Sequence, residues 1–544
     1  MSRLTASADS QGLQTLAASH VLPAGSVYGL VTAAEAQAIV SAVRRSNDPG
    51  SQVPDVPWAA IVERRPGEYA ATASTMLPSG LCWSLGTEQL TVSTDAGGVV
   101  AALERPPRLD HEFLRRFTVC EVPVAGTPFV GVQRIRGGTT LTWSHGDRTP
   151  ALHQWCGEQT WPHQPVRGDV GVAEYRRTFL EVVTDLTPRT PSVVAAVSGG
   201  LDSTFMVAAL AQSGIETVLG LTAVPLSAAH LEPVGPLDPD ESALADLLQR
   251  QYPDQVLIRH VRNEVRTDPL TAARHRTATS WWPVFNPANA PWLAQLEGLS
   301  AGAGATMLLT GTHGNAAFSW THPGTRRPRN PLRVLRTNRR RPIGSHPAGT
   351  IGAPYRPPLP GRGRAAYLRW LGATDNGLTA ALTPGEAGGV LRVDPFRSRK
   401  ILDLAARIHP DEWRAEGRPR GFARRAGAGW VPDPIRLRTR RGAQGWDSWF
   451  VMRDDRADVL TAVDRLADIP ALTEWVDIGS VRRTVAGWPW GQTGPPPPGF
   501  GAILRVLALS NYIEDVSERI AAAPRLPAAS GRKLVRAETR SDSR

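Results

Sequence analysis

At 544 residues the chain is too long for one ordinary core, so two domains with connecting material are expected. A mean hydropathy of -0.22 and the lack of any apolar run of about eighteen residues argue against a membrane-spanning helix, and MSRLTASADS has no signal-peptide character; a cytoplasmic protein is expected. The net charge of +11 would ordinarily raise nucleic-acid binding, but only Lys400 and Lys533 of 61 basic residues are lysine, and the clusters Arg326 to Arg329 and Arg339 to Arg341 lack interleaved aromatics. That bias fits GC-rich codon usage better than a binding surface, and no nucleic-acid partner is expected. Cys82, Cys120 and Cys156 are widely spaced without a CxxC pair, which supports neither a disulfide framework nor a zinc site; they read as small buried hydrophobes.

In chain order, residues 1–165 read as a β-rich domain, with strands expected at Ala59 to Val62, Leu90 to Ser93, Phe129 to Arg134 and Thr140 to Trp143 between Gly, Pro and Asp. A loop-like stretch follows from His153 to Arg167, then an amphipathic helix near Val172 to Leu186. From residue 190 strands and helices alternate. Strands are expected at Val193 to Val197, Thr217 to Thr222, Val256 to Val261 and Thr306 to Thr310, with helices at Ser203 to Ser213, Glu241 to Tyr252 (Asp240 as N-cap) and Pro287 to Ala301. Parallel strands need crossover helices, so this alternation predicts an α/β fold with a parallel sheet over residues 166–522. Residues 322–364 are rich in Pro, Gly and Arg and read as a mobile insertion. Helical patterning returns at Ser398 to Ile408, Arg420 to Ala426 and Arg453 to Ala467; GPPPPG is a stiff connector before a last helix from Ala502 to Ala522, and 523–544 read as a disordered tail.

The chemistry concentrates in VVAAVSGGLDSTFMVAAL, Val193 to Leu210. An apolar strand runs into Ser198, Gly199 and Gly200, whose turn lets backbone N–H groups approach a ligand, and a helix then opens at Asp202 with Ser203 and Thr204 in its first turn. Unpaired donors and the positive end of the helix dipole favour a phosphate there. A second glycine-bearing run, TGTHGN from Thr310 to Asn315, should fall at the same carboxyl edge of the sheet, so both loops converge on one crevice.

SGGLDS resembles the pyrophosphate-binding loop of ATP pyrophosphatases. Together with FNPANAPWLAQLEG (Phe285 to Gly298), LLTGTHGNAAFSW (Leu308 to Trp320) and RVDPFRSRKILDLAARI (Arg392 to Ile408), it resembles the asparagine synthetase B superfamily, and within it the lasso-peptide cyclases, which are macrolactam synthetases. TPFVGVQRIRGGTTLTW, Thr127 to Trp143, resembles the end of that superfamily's glutaminase-like domain. The resemblance implies a degenerate glutaminase-like domain of the N-terminal-nucleophile type, then a synthetase domain of the adenine nucleotide alpha hydrolase-like, ATP pyrophosphatase kind. It implies ATP and Mg²⁺ as cofactors, with ATP and pyrophosphate contacts at Val197, Ser198, Gly199, Gly200, Leu201, Asp202, Ser203, Leu221, Thr222, Gly311 and Thr312. The implied reaction is amide formation through an acyl-adenylate, the peptide's N-terminal amine closing onto an Asp or Glu side chain with release of AMP and pyrophosphate. A peptide substrate, a leader-binding protein and a leader peptidase are the implied partners.

Departures from that family pattern sharpen the reading. Residue 2 is Ser2, and no cysteine precedes Cys82, so glutamine is not the expected ammonia source and the amine should arrive with the substrate. Asn315 stands where the family has an aspartate sharing Mg²⁺ with the residue matched by Asp202, leaving Asp202 and the phosphates to supply the negative field; a turn residue tolerating positive φ is its other reading. The catalytic lysine's place in R-x-K falls on Arg440, with Arg441 beside it, while Lys400 reads as a structural ion pair. Thr312 replaces the tyrosine of β-lactam synthetases, and His313 is one candidate for the base, backbone-bonded loop histidine being the alternative. The rival functions are asparagine synthetase or another small-molecule amide ligase, and a catalytically silent ATP-binding partner.

Overall fold

Small side chains at Ala59, Ala60, Ala70, Ala71 and Ala73 are fully buried, which lets two central strands be covered closely on both faces. These strands anchor an antiparallel N-terminal half. The computed structural model describes residues 5–522 except 10–11, 18–19, 78–79, 104, 119–124, 157–163, 227–233, 264–265, 321–389, 416–417, 444 and 493. The expected insertion at 322–364, the tail at 523–544, Ser2, Cys120 and both basic clusters lie outside the described residues.

The N-terminal strands are β1 (Thr5–Asp9), β2 (Gly12–Ala17), β3 (His20–Leu22), β4 (Gly25–Gly29), β5 (Trp58–Arg65), β6 (Glu68–Ala73), β7 (Leu81–Leu85), β8 (Leu90–Ser93), β9 (Gln133–Ile135), β10 (Thr139–Ser144) and β11 (Ala151–Gln154). They form two antiparallel sheets, ordered β2-β1-β8-β7-β9 and β11-β10-β6-β5-β4-β3. Helix α1 (Ala33–Arg45) packs on β5 and begins with a capping box, Thr32 Oγ1 accepting from the Glu35 N–H and Glu35 Oε2 from the Thr32 N–H. Helices α2 (Ala96–Ala101) and α3 (His111–Thr118) follow β8. The strand expected at Phe129 to Arg134 shifts toward Ile135, because Thr127 Oγ1 donates to carbonyls in the Phe129 to Val132 turn, where Gly131 takes φ +79°.

The second half carries a parallel sheet, ordered β15-β13-β12-β16-β17, from β12 (Val193–Ala196), β13 (Val218–Ala223), β15 (Val256–Val261), β16 (Met307–Leu309) and β17 (Leu391–Val393). The chain is therefore α/β. After β12 it moves outward to β13 and β15, then returns to the other side of β12, so the switch point lies at the carboxyl end of β12. One face is covered by α4 (Gly168–Leu186) and α5 (Leu201–Gln212), through Tyr175, Phe179, Phe205, Phe318 and Phe396. The other is covered by α8 (Ala290–Gly302), with Leu296 against Val194, Leu221, Val261 and Leu308.

Helix α6 (Ser242–Gln251) has Glu241 rather than Asp240 at its N-cap, without a side-chain cap bond; Asp240 Oδ1 instead accepts from the Ser242 N–H at 2.8 Å. The short strand β14 (Leu237–Asp238) pairs in parallel with the strand Arg441–Gly442. Sequence periodicity missed α7 (Pro269–Ser280), which starts because Asp268 accepts from the N–H groups of Leu270 and Thr271 with Pro269 at its first position. The last helix, Phe500–Ala522, joins a second core with Phe113, Phe117, Trp449 and Trp475. No helix among the described residues is long and apolar enough to cross a membrane. Cys82 and Cys156 are buried, and burial pushes the Cys82 thiol up to about 12, which keeps it protonated and inert.

Ion pairs tie the two halves. Arg189 grips Glu35 with both nitrogens, at 2.8 and 2.7 Å, and donates to the Leu30 carbonyl. Asp55 accepts from Ser398 Oγ and from the N–H groups of Arg399 and Lys400, capping the helix Arg399–Arg407 from the other half of the chain. Lys400 lies 3.7 Å from both Glu181 and Asp185.

The Arg189 guanidinium, with the Thr32 backbone bond, holds the Glu35 carboxyl at about 2, below its ordinary 4.5. A depressed carboxylate stabilises the fold above the unfolded value and loses that contribution as pH falls toward the folded one. Glu35→Gln should therefore lower stability near pH 7 by about 1 kcal/mol, a figure discounted for solvent screening of a partly exposed pair. Denaturant midpoints of the two proteins should converge between about pH 4.5 and 2; a gap that persists at the acid end would rule out this ion pair as its source.

Candidate active site

The turn after β12 is short because Ser198 and the first turn of α5 bond to each other. The Ser198 N–H donates to Ser203 Oγ at 3.0 Å, Ser203 Oγ donates to the Ser198 carbonyl at 3.1 Å, and Thr204 Oγ1 donates to the Gly200 carbonyl at 2.8 Å. Gly200 is the N-cap of α5 and offers no side-chain cap, so the N–H groups of Leu201, Asp202 and Ser203 project from the helix start without an intrahelical acceptor. Helix α5, buried from Leu201 to Leu210, then aims its positive end at the switch point.

The loop after β16 closes directly on that helix start. A Cβ at Gly311 would stand 2.9 Å from the Ser203 nitrogen, and one at Gly314 would stand 2.4 Å from Asp202 Cβ, so both positions exclude side chains by contact. Asp202 is consequently 9% exposed, and its Oδ1 is buried without a hydrogen-bond partner. Burial raises its carboxyl above the ordinary aspartate range; Arg420 and the Ser319 hydroxyl oppose that rise and Asp394 adds to it. Ser319 Oγ also lies 3.4 Å from Asn315 Oδ1, so one hydroxyl links the two residues expected to face a cation. A buried carboxylate oxygen with no donor fits a hard cation, and no group of three His, Cys, Asp or Glu side chains is assembled among the described residues to hold one without further ligands.

These loops open into a cavity of about 600 Å³. Val197, Ser198, Gly199, Gly200, Leu201, Asp202, Ser203, Leu221, Gly311, Thr312 and Asn315 all line it, as do Arg440 and Arg441. Thr222 does not; neighbouring strand residues point to opposite faces, and Thr222 is buried on the side away from Leu221. Seven arginines line the cavity against Asp202, Glu241 and Asp447, a formal excess of +4. Such a wall suits a polyanion.

The arginines differ in what already holds them. Arg440 is half exposed, and its Nε lies 2.6 Å from Asp238 Oδ1, so the residue at the expected lysine place is engaged by a carboxylate. Arg441 is exposed on the strand paired with β14. Arg438, which the sequence reading passed over, lies 2.5 Å from Asp238 Oδ2, pairs with Glu241 and donates to the Gly199 carbonyl at 3.3 Å, bracing the glycine turn. Burial raises the Glu241 carboxyl, and Arg438 opposes this. Arg420 was likewise missed. It caps the helix Gly421–Ala426 in the left-handed region at φ 65°, lines the cavity and acts on Asp202. Nothing in the arginine-rich sequence separates these residues from Arg418 or Arg425, which do not line the cavity; only the fold does. Asp447, in the first turn of the helix Trp446–Met452, is a further cavity carboxylate raised by burial.

His313 is tied into the DPF run. Its backbone N–H and its Nδ1 both meet Asp394 Oδ2, at 2.7 and 2.8 Å, and the ring lines the cavity while 7% exposed. Thr312 Oγ1 donates to Thr310 Oγ1 at 3.3 Å.

No family model matches the chain, and no curated protein matches it. Among solved structures it is similar to a glutamine phosphoribosylpyrophosphate (PRPP) amidotransferase from B. subtilis complexed with ADP and GMP, at 9% identity and a TM-score of 0.19, over 47% of this chain and 84% of that one. A likeness at that level carries no argument about the site.

A carboxylate whose folded value is raised costs stability as pH climbs through and above the unfolded value. Asp202→Asn should therefore raise the thermal midpoint near neutral pH and lose that advantage below the ordinary aspartate range. Thermal unfolding at both pH values checks this, and a lowered midpoint at neutral pH would contradict a carboxylate whose burial outweighs its partners.

Proposed function

We propose that the crevice binds ATP, with its leaving pyrophosphate at the turn Ser198 to Ser203, and that the chain is an AMP-forming amide ligase of the asparagine synthetase B type whose product is the macrolactam ring of a lasso peptide. The observation that supports this reading best is the partnerless oxygen of Asp202, which lines, at the start of α5, a cavity that seven arginines also line. Its motif, SGGLDS, resembles the corresponding loop of ATP pyrophosphatases.

In this reading Mg²⁺ would be held by Asp202, with Asn315 as a neutral oxygen donor beside it and phosphate oxygens as the remaining ligands. When bound, it would offset phosphate charge. An Asp or Glu carboxylate of the peptide forms a bond to the α-phosphorus while the α–β bridging bond breaks and pyrophosphate leaves. The N–H groups of Leu201, Asp202 and Ser203 and the guanidinium of Arg420 stabilise the charge that gathers on that leaving group. Arg438 keeps the Gly199 carbonyl turned away from the phosphates by bonding to it.

The peptide's N-terminal amine then attacks the activated acyl carbon and AMP leaves. A proton must be lost from that amine. His313 is the cavity group suited to take it, with its ring held through Nδ1 by Asp394. Holding the peptide folded during attack supplies the rest of the catalysis. A leader-binding protein and a leader peptidase complete the proposal as the agents that deliver the substrate.

AMP release, followed with candidate peptides bearing a free amine and an internal acid, and in parallel with aspartate plus ammonia or glutamine, tests the proposal and separates ring closure from asparagine synthesis. Asp202→Ala should abolish AMP release. Arg420→Met should lower kcat by about 10²- to 10³-fold, whereas Arg440→Met, already engaged by Asp238, should lower it less than about tenfold. Undiminished AMP release from Asp202→Ala would remove the assignment. Absence of AMP with every carboxylate would leave a silent ATP-binding partner.

A further inference from the structure

The crevice continues from the phosphate turn onto the face of the sheet covered by α8, where Trp292, Leu293, Leu296 and Leu308 supply apolar walls. Among those walls stands Arg392, from β17, whose register with Leu308 puts the two side chains on the same face. Arg392 Nε lies 3.1 Å from Glu297 Oε1, and Arg276 Nη2, from α7, lies 2.8 Å from Glu297 Oε2. The three side chains are 7%, 6% and 1% exposed for Arg392, Arg276 and Glu297.

One carboxylate shared by two guanidiniums leaves a buried excess of one positive charge. Arg392 Nη2 is buried without a hydrogen-bond partner, as is Arg276 Nη1. Among the described residues the charges acting on Arg392 are Glu297, which favours its cation, and Arg276, which opposes it; burial pushes its guanidinium down to about 10. A native fold rarely leaves a charge in that condition unless something else completes it.

We infer that this recess is a subsite for a carboxylate of the substrate, received by Arg392; identifying its owner as the substrate rests on the proposed ligase reading. One monoanion balances the excess of one charge, where a phosphate dianion would overshoot it. The apolar walls suit the short aliphatic stem of an acid side chain, and the planar fork of a guanidinium matches a carboxylate. The phosphates have their own donors at the start of α5. The subsite is thus separate in chemistry from the nucleotide turn, though both open on one cavity.

Thermal unfolding with 50 mM sodium butyrate, against the same concentration of butyramide plus sodium chloride, tests the subsite with ligands of matched shape (concentration set at roughly the level needed for weak binding). Butyrate should raise the midpoint of the native chain by about 2 °C more than butyramide. Arg392→Met should abolish that difference and Arg440→Met should keep it. Leu293→Phe, which narrows the recess and leaves the three charges in place, should abolish it as well and serves if Arg392→Met does not fold. Equal shifts with the two ligands, or a butyrate effect retained in both recess variants, would overturn the inference.

Calorimetry of ATP on the same native sample keeps the two readings apart: absent ATP binding removes the ligase proposal and leaves the butyrate result standing. With ATP present, AMP release on adding butyrate identifies the carboxylate held here as the one activated. Butyrate binding without AMP identifies it as a second, recognition carboxylate. Both results support the subsite.

Discussion

A carboxylate oxygen held out of water with nothing to bond is the constraint around which the half with the parallel sheet is arranged. Asp202 reaches that condition because two backbones press against it. Gly311 and Gly314 bring the loop after β16 to within contact of Ser203 and Asp202, and any side chain at either position would force the loops apart. Desolvation then raises the carboxyl, Arg420 and the Ser319 hydroxyl oppose that rise, and a positive charge placed in the cavity would favour the ionised form further. Strain of this kind is retained in folded proteins at places where a ligand relieves it.

The surrounding architecture makes the arrangement stiff. A parallel sheet whose strand order reverses at β12 leaves a gap at its carboxyl edge, and α5 begins in that gap with its donors outward. Arg438 joins Asp238, Glu241 and the Gly199 carbonyl, which ties β14, the N-cap of α6 and the glycine turn together. Positive charge is distributed in two grades. Arg440 and Arg441 are exposed, where water screens them; Arg392 is buried beside leucines with Glu297 at 3.1 Å, where screening by water is weak.

The antiparallel half is not an independent appendage. Glu35 receives Arg189, Asp55 caps the helix Arg399–Arg407, and Arg397 donates to the Thr75 carbonyl, so polar groups from the first sheets complete helices of the second half. The main apolar core runs continuously from Val27 through Phe205 to Phe422. Separating the halves would leave charges and helix ends unsatisfied on both sides. This coupling places the β-rich half in a supporting role for the crevice, whatever chemistry it has of its own.

Local chemistry was enough to read the strand at Val193, the glycine turn, the start of α5 and the convergence of TGTHGN upon it, because turn-forming glycines and an apolar strand carry their conformation in their own sequence. It was also enough to read Lys400 as an ion-paired residue, though not to name Glu181 and Asp185 as its partners. Positions fixed by contacts distant in sequence were beyond it. The eight arginines from Arg418 through Arg441 are alike as letters, and only packing sorts Arg420 toward Asp202, Arg438 onto the Gly199 carbonyl and Arg440 onto Asp238. Thr222 and Leu221 are neighbours in the chain, yet strand alternation sends them to opposite faces. The buried pairing of Arg276, Glu297 and Arg392 joins residues on two helices and an edge strand, so no local pattern could announce it. Desolvation belongs to the assembled fold, and with it comes every shifted carboxyl and orphaned nitrogen on which the chemistry of the crevice rests.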